Sequence, residues 1–250
     1  MLREHIFEPR TVGQDGFRWR GIEPTRLEAL TDGVLAFALT LIIVSLEVPR
    51  TYSQLLRVMS GFLGFAICAT FLFGIWWGHN AYCRRFGLQD YFTQVLTGVL
   101  LFVVLFYVYP LKFLFTLLVA MFSGGRLAGT VFSETQTRVI ESWQWPSLMM
   151  IYGAGFIAVY LVFTLLYWHA WRLRDSLELN ERERIITFFN IEGYLINVGV
   201  GVLSMLIAWT GGPGLAAISG MTYSLLGPLR GFHGWRLGRR LDAMDRAAGS

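Results

Sequence analysis

The sequence predicts an all-α integral membrane protein with six transmembrane helices and both termini cytoplasmic. Three observations predict it. The 250-residue chain is 54% hydrophobic and only 15% charged, with a mean hydropathy of +0.50, whereas a soluble domain carries about 25% charged residues. Six apolar segments approach the ~20 residues that a membrane-crossing helix needs. The arginines gather in alternate connecting segments, the asymmetry expected of a membrane protein with a cytoplasmic side.

The first span runs from about Leu27 to Val48 and stops at Pro49, which cannot continue a helix. The second runs from about Leu55 to Trp77 and can extend to Phe86. The third begins near Tyr91 and continues through Tyr109, with Pro110 breaking or kinking the helix beyond that point. The polar segment 123–145 reads as an extracytoplasmic loop ending at the interfacial aromatics Trp143 and Trp145. The fourth span covers about Ser147 to Trp171, after Pro146 at its start. From Arg172 to Arg184, four arginines mix with Asp175, Glu178, Glu181 and Glu183, which predicts a short solvated helical connector. The fifth span, about Ile185 to Trp209, is closed by Gly211, Gly212 and Pro213. The sixth, about Pro213 to Phe232, is rich in Gly and Ser and interrupted by Pro228. The chain therefore divides into a cytoplasmic tail at 1–25, a transmembrane unit at 26–232 and a cytoplasmic tail at 233–250.

With the N-terminus inside, sixteen of the twenty arginines fall on the cytoplasmic side and four outside. Lys112, the single lysine, then lies near the outer boundary as a snorkelling interfacial residue. The expected location is the cell inner (plasma) membrane, multi-pass. Residues 1–25 carry no apolar core, so no cleavable signal is expected and the first span leads insertion. Cys68 and Cys83 lie roughly 22 Å apart along one helix, too far for a disulfide, and read as free packed thiols. The pairs Gly74/Gly78 and Gly227/Gly231 permit close helix approach.

Catalytic patterns are absent. The histidines His5, His79, His169 and His233 have no ligand-like spacing, and no HExxH, CxxC or P-loop occurs. No enzyme activity, cofactor, metal or nucleic-acid partner is expected. The TVGYG carbonyl filter of ordinary potassium channels is missing as well.

Chemistry concentrates at the entry to the first span. Arg26, Glu28 and Asp32 lie within two turns, and ionisable residues inside a span face a partner within the protein. Arg26 and Asp32 are about 120° apart around the helix, so each looks to neighbouring helices rather than to the other. Trp76 and His79 reach the same level on the second span, able to tie that cluster into a network; an interfacial charge cap with an aromatic belt is the plainer alternative. Farther along, Phe37, Thr40, Leu41 and Val44 share one helix face. A lone mid-helix Thr commonly bonds back to its own helix. In a symmetric oligomer with this face on the axis, Thr40 would form a polar ring between apolar rings, and apolar constrictions gate pores by dewetting.

These residues resemble the transmembrane protein 175 family of potassium channels. Its signature, R-x-x-x-F-S-D at the start of the first span, appears here as R-L-E-A-L-T-D-G-V-L-A-F-A-L-T. Arg26, Asp32, Gly33 and Thr40 match in register, while Leu30 and Thr31 replace the family's Phe and Ser. Trp76 and His79 match the Trp and His of the second span, and the likeness covers residues 26–86. The resemblance implies a homotetramer with helix 1 lining a central potassium-permeable pore. It places Phe37, Leu41 and Val44 at the constriction and Thr40 in a hydroxyl layer. Arg26, Leu30, Thr31, Asp32, Trp76 and His79 would form the structural network. Phe37 departs from the family's usual Ile or Leu. The implied partners are potassium ions, further copies of the chain and membrane lipid. A proton-coupled transporter using Asp32, His79 and Glu192, or a non-conducting scaffold, is the competing expectation.

Overall fold

The computed structural model describes residues 12–13, 15–44, 49–60, 62–122 and 140–248. The first helix, α1 (Arg26–Val44), begins at a reciprocal cap. The Thr25 hydroxyl accepts from the Glu28 amide at 3.1 Å, and the Glu28 carboxylate accepts from the Thr25 amide at 3.1 Å.

The expected second span is divided. Tyr52–Ser60 forms a separate short helix, α2, and α3 runs from Phe62 to Phe86. The physical reason is composition: Ser53, Gln54 and Arg57 punctuate α2, whereas Phe62 to Trp77 carries no charge. Both cysteines on α3 are free and buried.

Helix α4 (Tyr91–Phe122) runs through Pro110, so that proline does not end it. It forfeits one backbone donor, while its own carbonyl accepts from the Tyr152 hydroxyl at 2.6 Å. That contact ties α4 to α5 (Trp145–Arg172), which has proline in its first turn as expected. Most of the expected outer loop, 123–139, lies outside the described residues.

The segment 173–180 is a run of turns rather than a helix, with Asp175, Ser176, Glu178 and Asn180 exposed. Leu179 is buried at 3% exposure, and Glu178 adopts positive φ. Helix α6 (Glu181–Met221) then starts at Asn180, whose side chain accepts from the Glu183 amide at 2.8 Å. Gly212, with φ 57° and ψ −160°, interrupts α6. Beyond it the chain doubles back: the Ser204 hydroxyl donates to the Ser219 carbonyl at 2.8 Å. His233 Nε2 lies 2.8 Å from the Phe189 carbonyl, and Arg182 pairs with Asp245 at 2.6 Å. Residues 213–221, a 3-10 turn at 222–225 and α7 (Leu226–Ala248) thus return antiparallel along 181–211. The expected boundary near 232 falls inside α7, which continues unbroken past it.

Among the described residues, four segments are long and apolar enough to cross a membrane: Phe62–Phe86, Tyr91–Phe115, Trp145–Arg172 and Glu181–Gly212. One continuous core joins α1, α3, α4, α5 and α6, with Leu35, Leu72, Leu100, Leu166 and Ile186 among its buried members.

Candidate functional site

Helix α1 has two unlike faces. Glu28, Thr31, Leu35, Ala38 and Ile42, at 3–4 spacing, form a buried stripe against α3 and α4. On the opposite side Ala29, Gly33, Ala36, Phe37, Thr40 and Ile43 are exposed in the single chain. Phe37 is 58% exposed. Leu41 lies at the flank, half-buried. Val44 is helical, and its side chain lies outside the described residues. The Thr40 hydroxyl donates to the Phe37 carbonyl at 2.7 Å. Its proton is thereby used within the helix, which leaves the oxygen lone pairs as the group's outward chemistry.

The predicted network forms in part. Trp76 Nε1 on α3 donates to Asp32 Oδ1 on α1 at 2.7 Å. His79 is buried at 1% exposure, yet its hydrogen bond to another helix goes to Thr97 Oγ1 on α4, at 3.1 Å. It therefore ties α3 to α4 rather than to α1. Thr31 is buried and donates to the Leu27 carbonyl at 2.9 Å. Leu30 is 56% exposed, on the outward face. Arg26 is exposed and makes no ion pair among the described residues. Glu28, not Asp32, faces a cation: Arg84 Nε lies 4.0 Å away. The three groups of the transporter alternative are separately engaged, with Glu192 4.0 Å from His233 Nδ1.

Two anchors escaped the sequence reading. Lys112 Nζ donates to the Ile42 carbonyl of α1 at 2.9 Å, so it bridges helices rather than snorkelling. The second is a strap, residues 15–25, packed across the ends of α3 and α6. Phe17 is fully buried, edge-on to Phe86 at 5.5 Å. Arg18 and Arg20 both pair with Glu183, at 3.1 and 2.8 Å. Asp15 pairs with Arg85 at 2.7 Å, and Arg84 donates to the Ile22 carbonyl at 2.7 Å. Gly21 passes so close that a side chain there would strike the Cys83 carbonyl. The sequence signal was Phe17 set beside two arginines, which charge counting alone treated as part of a tail.

Nearby, Asp90 precedes α4, with its carboxylate 2.7 Å from His169 Nε2 on α5. Burial works against its charge, but the Thr93 hydroxyl and His169 hold its carboxyl below the ordinary range. Among the described residues no three His, Cys, Asp or Glu side chains gather as metal ligands. The arrangement offers an outward apolar helix face bearing one hydroxyl, held rigidly from behind.

Comparison with known proteins adds four findings. Residues 26–107, which hold α1, α3 and half of α4, match the family model described as endosomal/lysosomal potassium channel TMEM175. A potassium channel of Marivirga tractuosa is 35% identical over 229 residues, spanning 90% of this chain and 92% of that protein. The crystal structure of a variant of the potassium channel MtTMEM175, in complex with a Nanobody-MBP fusion protein, matches with a TM-score of 0.80 at 33% identity. That match covers 91% of this chain and 99% of the other. The crystal structure of a lysosomal potassium-selective channel TMEM175 homolog from Chamaesiphon minutus matches in fold, with a TM-score of 0.53 at 20% identity, covering 85% and 96%.

Proposed function

The chain belongs to the TMEM175 potassium channel family, and from that premise we propose that it is a potassium-preferring cation channel conducting passively through a central pore. In this reading four copies bring the outward faces of their α1 helices together on one axis. Phe37, Leu41 and Val44 form the apolar constriction, and Thr40 supplies a hydroxyl layer in place of a carbonyl filter.

The single observation that carries the reading is the division of α1 into a buried stripe and an exposed face bearing Phe37 and Thr40. The back-bonded Thr40 hydroxyl suits the role, because a ring of oxygen lone pairs can replace part of a cation's water shell. Apolar rings beside it set how readily the pore wets. Asp32–Trp76, His79–Thr97 and Lys112–Ile42 hold α1, α3 and α4 in register behind that face.

The arginine asymmetry supports six crossings, the hairpin at Gly212 supplying the last two, with both termini cytoplasmic in the plasma membrane. The domain division keeps a transmembrane unit at 26–232, with the strap and the end of α7 as its cytoplasmic layer. The test is potassium efflux from proteoliposomes into sodium buffer, read beside cross-linking of the same sample. Efflux with a four-copy cross-linked product is expected; inserted, tetrameric protein without efflux contradicts the reading unless Phe37→Ala restores it.

A further inference from the structure

A groove of about 740 Å³ runs between α3 and the hairpin of α6 and α7. Its walls are mostly apolar, with Phe71, Phe115 and Phe163 prominent, and its polar groups include Arg230 and Asn197. Neither takes part in the pore face. We propose that this groove binds an anionic phospholipid, its phosphate held by Arg230 and Asn197 and its acyl chain laid along the phenylalanine walls.

Charge comes first. No carboxylate of the described residues lies within ion-pair distance of Arg230; the nearby Glu192 faces His233 instead, at 4.0 Å. The guanidinium stacks loosely on the Tyr194 ring, 5.9 Å from its centre. It also occupies the space a side chain at Gly193 would fill, against the α6 backbone. The missing Cβ seats the cation.

Asn197 is the second, independent observation. It is only 5% exposed, lines the groove, and its amide has no hydrogen-bond partner among the described residues. Its amide opens onto the groove, so a phosphate lying there meets a donor that no described residue already uses. Residues 193 and 197 lie one turn apart on the same face of α6, about 6 Å. A phosphate lodged between them can accept from the guanidinium and from the amide NH₂ together.

The level along the bundle fits a headgroup. Asn190 and Glu192 precede this point of α6, and the stretch from Leu195 to Trp209 carries no charge. Trp77 of α3, 71% exposed, lines the same groove, as interfacial tryptophans do. The acyl-sized remainder of the groove extends toward the apolar side.

The test is native mass spectrometry of the protein taken from vesicles of equal phosphatidylglycerol and phosphatidylcholine. The expected preference for bound phosphatidylglycerol is about fivefold, the size of one basic group acting on an anionic lipid. Arg230→Gln brings the ratio to parity and Arg230→Lys keeps most of it. If Arg230→Gln does not fold, Asn197→Leu carries the test, since it leaves the cation and must still lower the ratio. Parity in the unmodified protein, or an unchanged ratio in Arg230→Gln, overturns the proposal. Displacement by millimolar inorganic phosphate gives the site to the free ion, and a photo-cross-link from position 74 to a second copy gives it to a subunit contact; each of these also overturns it. The readout needs no current, so it stands apart from whether the protein conducts.

Discussion

Glu183 Oε2 on α6 accepts from Arg20 Nη2 at 2.8 Å, across 163 positions of sequence. The same carboxylate takes the Arg18 amide and the Arg18 side chain, and caps its own helix through the Asn180 amide at 3.0 Å. A fully buried carboxylate is tolerated because its lone pairs are so occupied. Through it, the strap and the start of α6 are held as one layer beneath α1.

Removing that carboxylate leaves two arginines and two backbone amides without that acceptor. Glu183→Ala is expected to lower stability by about 2 kcal/mol, less than a fully buried pair because Arg18 is half exposed. Trypsin cleavage after Arg18 and Arg20 reads the outcome directly. Cleavage at those bonds should accelerate at least several-fold while the transmembrane core resists.

Asp32 and Trp76 are the direct bond between α1 and α3 in the predicted network. Trp76→Phe keeps the ring and removes the donor, with an expected cost of about 1–2 kcal/mol. A double-mutant cycle with Asp32→Asn, scored by thermal unfolding in detergent, should show non-additive losses. Additive losses would mean that the two side chains act independently.

Gly212 turns the final hairpin at φ 57° and ψ −160°, a conformation open essentially to glycine alone. No neighbour lies within 4 Å of a Cβ built there, so Gly212→Ala tests backbone strain without a clash. The expected loss is about 1–3 kcal/mol, measured by the same unfolding assay. Gly214→Ala, with equally open space and no positive φ, is the control and should change little.

Acid should loosen the junction of α4 and α5. The Asp90 carboxyl is held below its ordinary value in the folded protein, so its contribution is complete above the unfolded pKa of about 3.9. It is lost as pH falls through the lower folded value. Melting profiles between pH 3 and 7 should show a drop at the acid end that Asp90→Asn makes smaller, the rest belonging to other paired carboxylates such as Glu183.

Much of this was legible because hydrophobic length and arginine placement are one-dimensional signals. The spans at 91–109, 147–171 and 185–209 lie inside α4, α5 and α6, and the Gly211-Gly212-Pro213 stop is the observed reversal. Trp76 was placed against Asp32 from level alone. What stayed hidden depended on pairing between distant segments. His79 reaches Thr97, an uncharged residue that no charge pattern flags. Lys112 seeks a backbone carbonyl, which carries no sequence signature. The strap depends on Phe17 entering a pocket made by Phe86 and its neighbours on other helices. Pro110 does not break α4, and the Tyr152 hydroxyl of α5 bonds its carbonyl, a contact between distant segments.

The central claim is that the outward face of α1 conducts and selects. It is tested most directly by current through the purified protein in a planar bilayer under opposed potassium and sodium gradients. The expected reversal potential is pulled toward that of potassium and moved toward zero by Thr40→Val, with larger currents in Phe37→Ala. A reversal potential that ignores Thr40→Val, or no current even in Phe37→Ala with tetramers shown in the membrane, would contradict it.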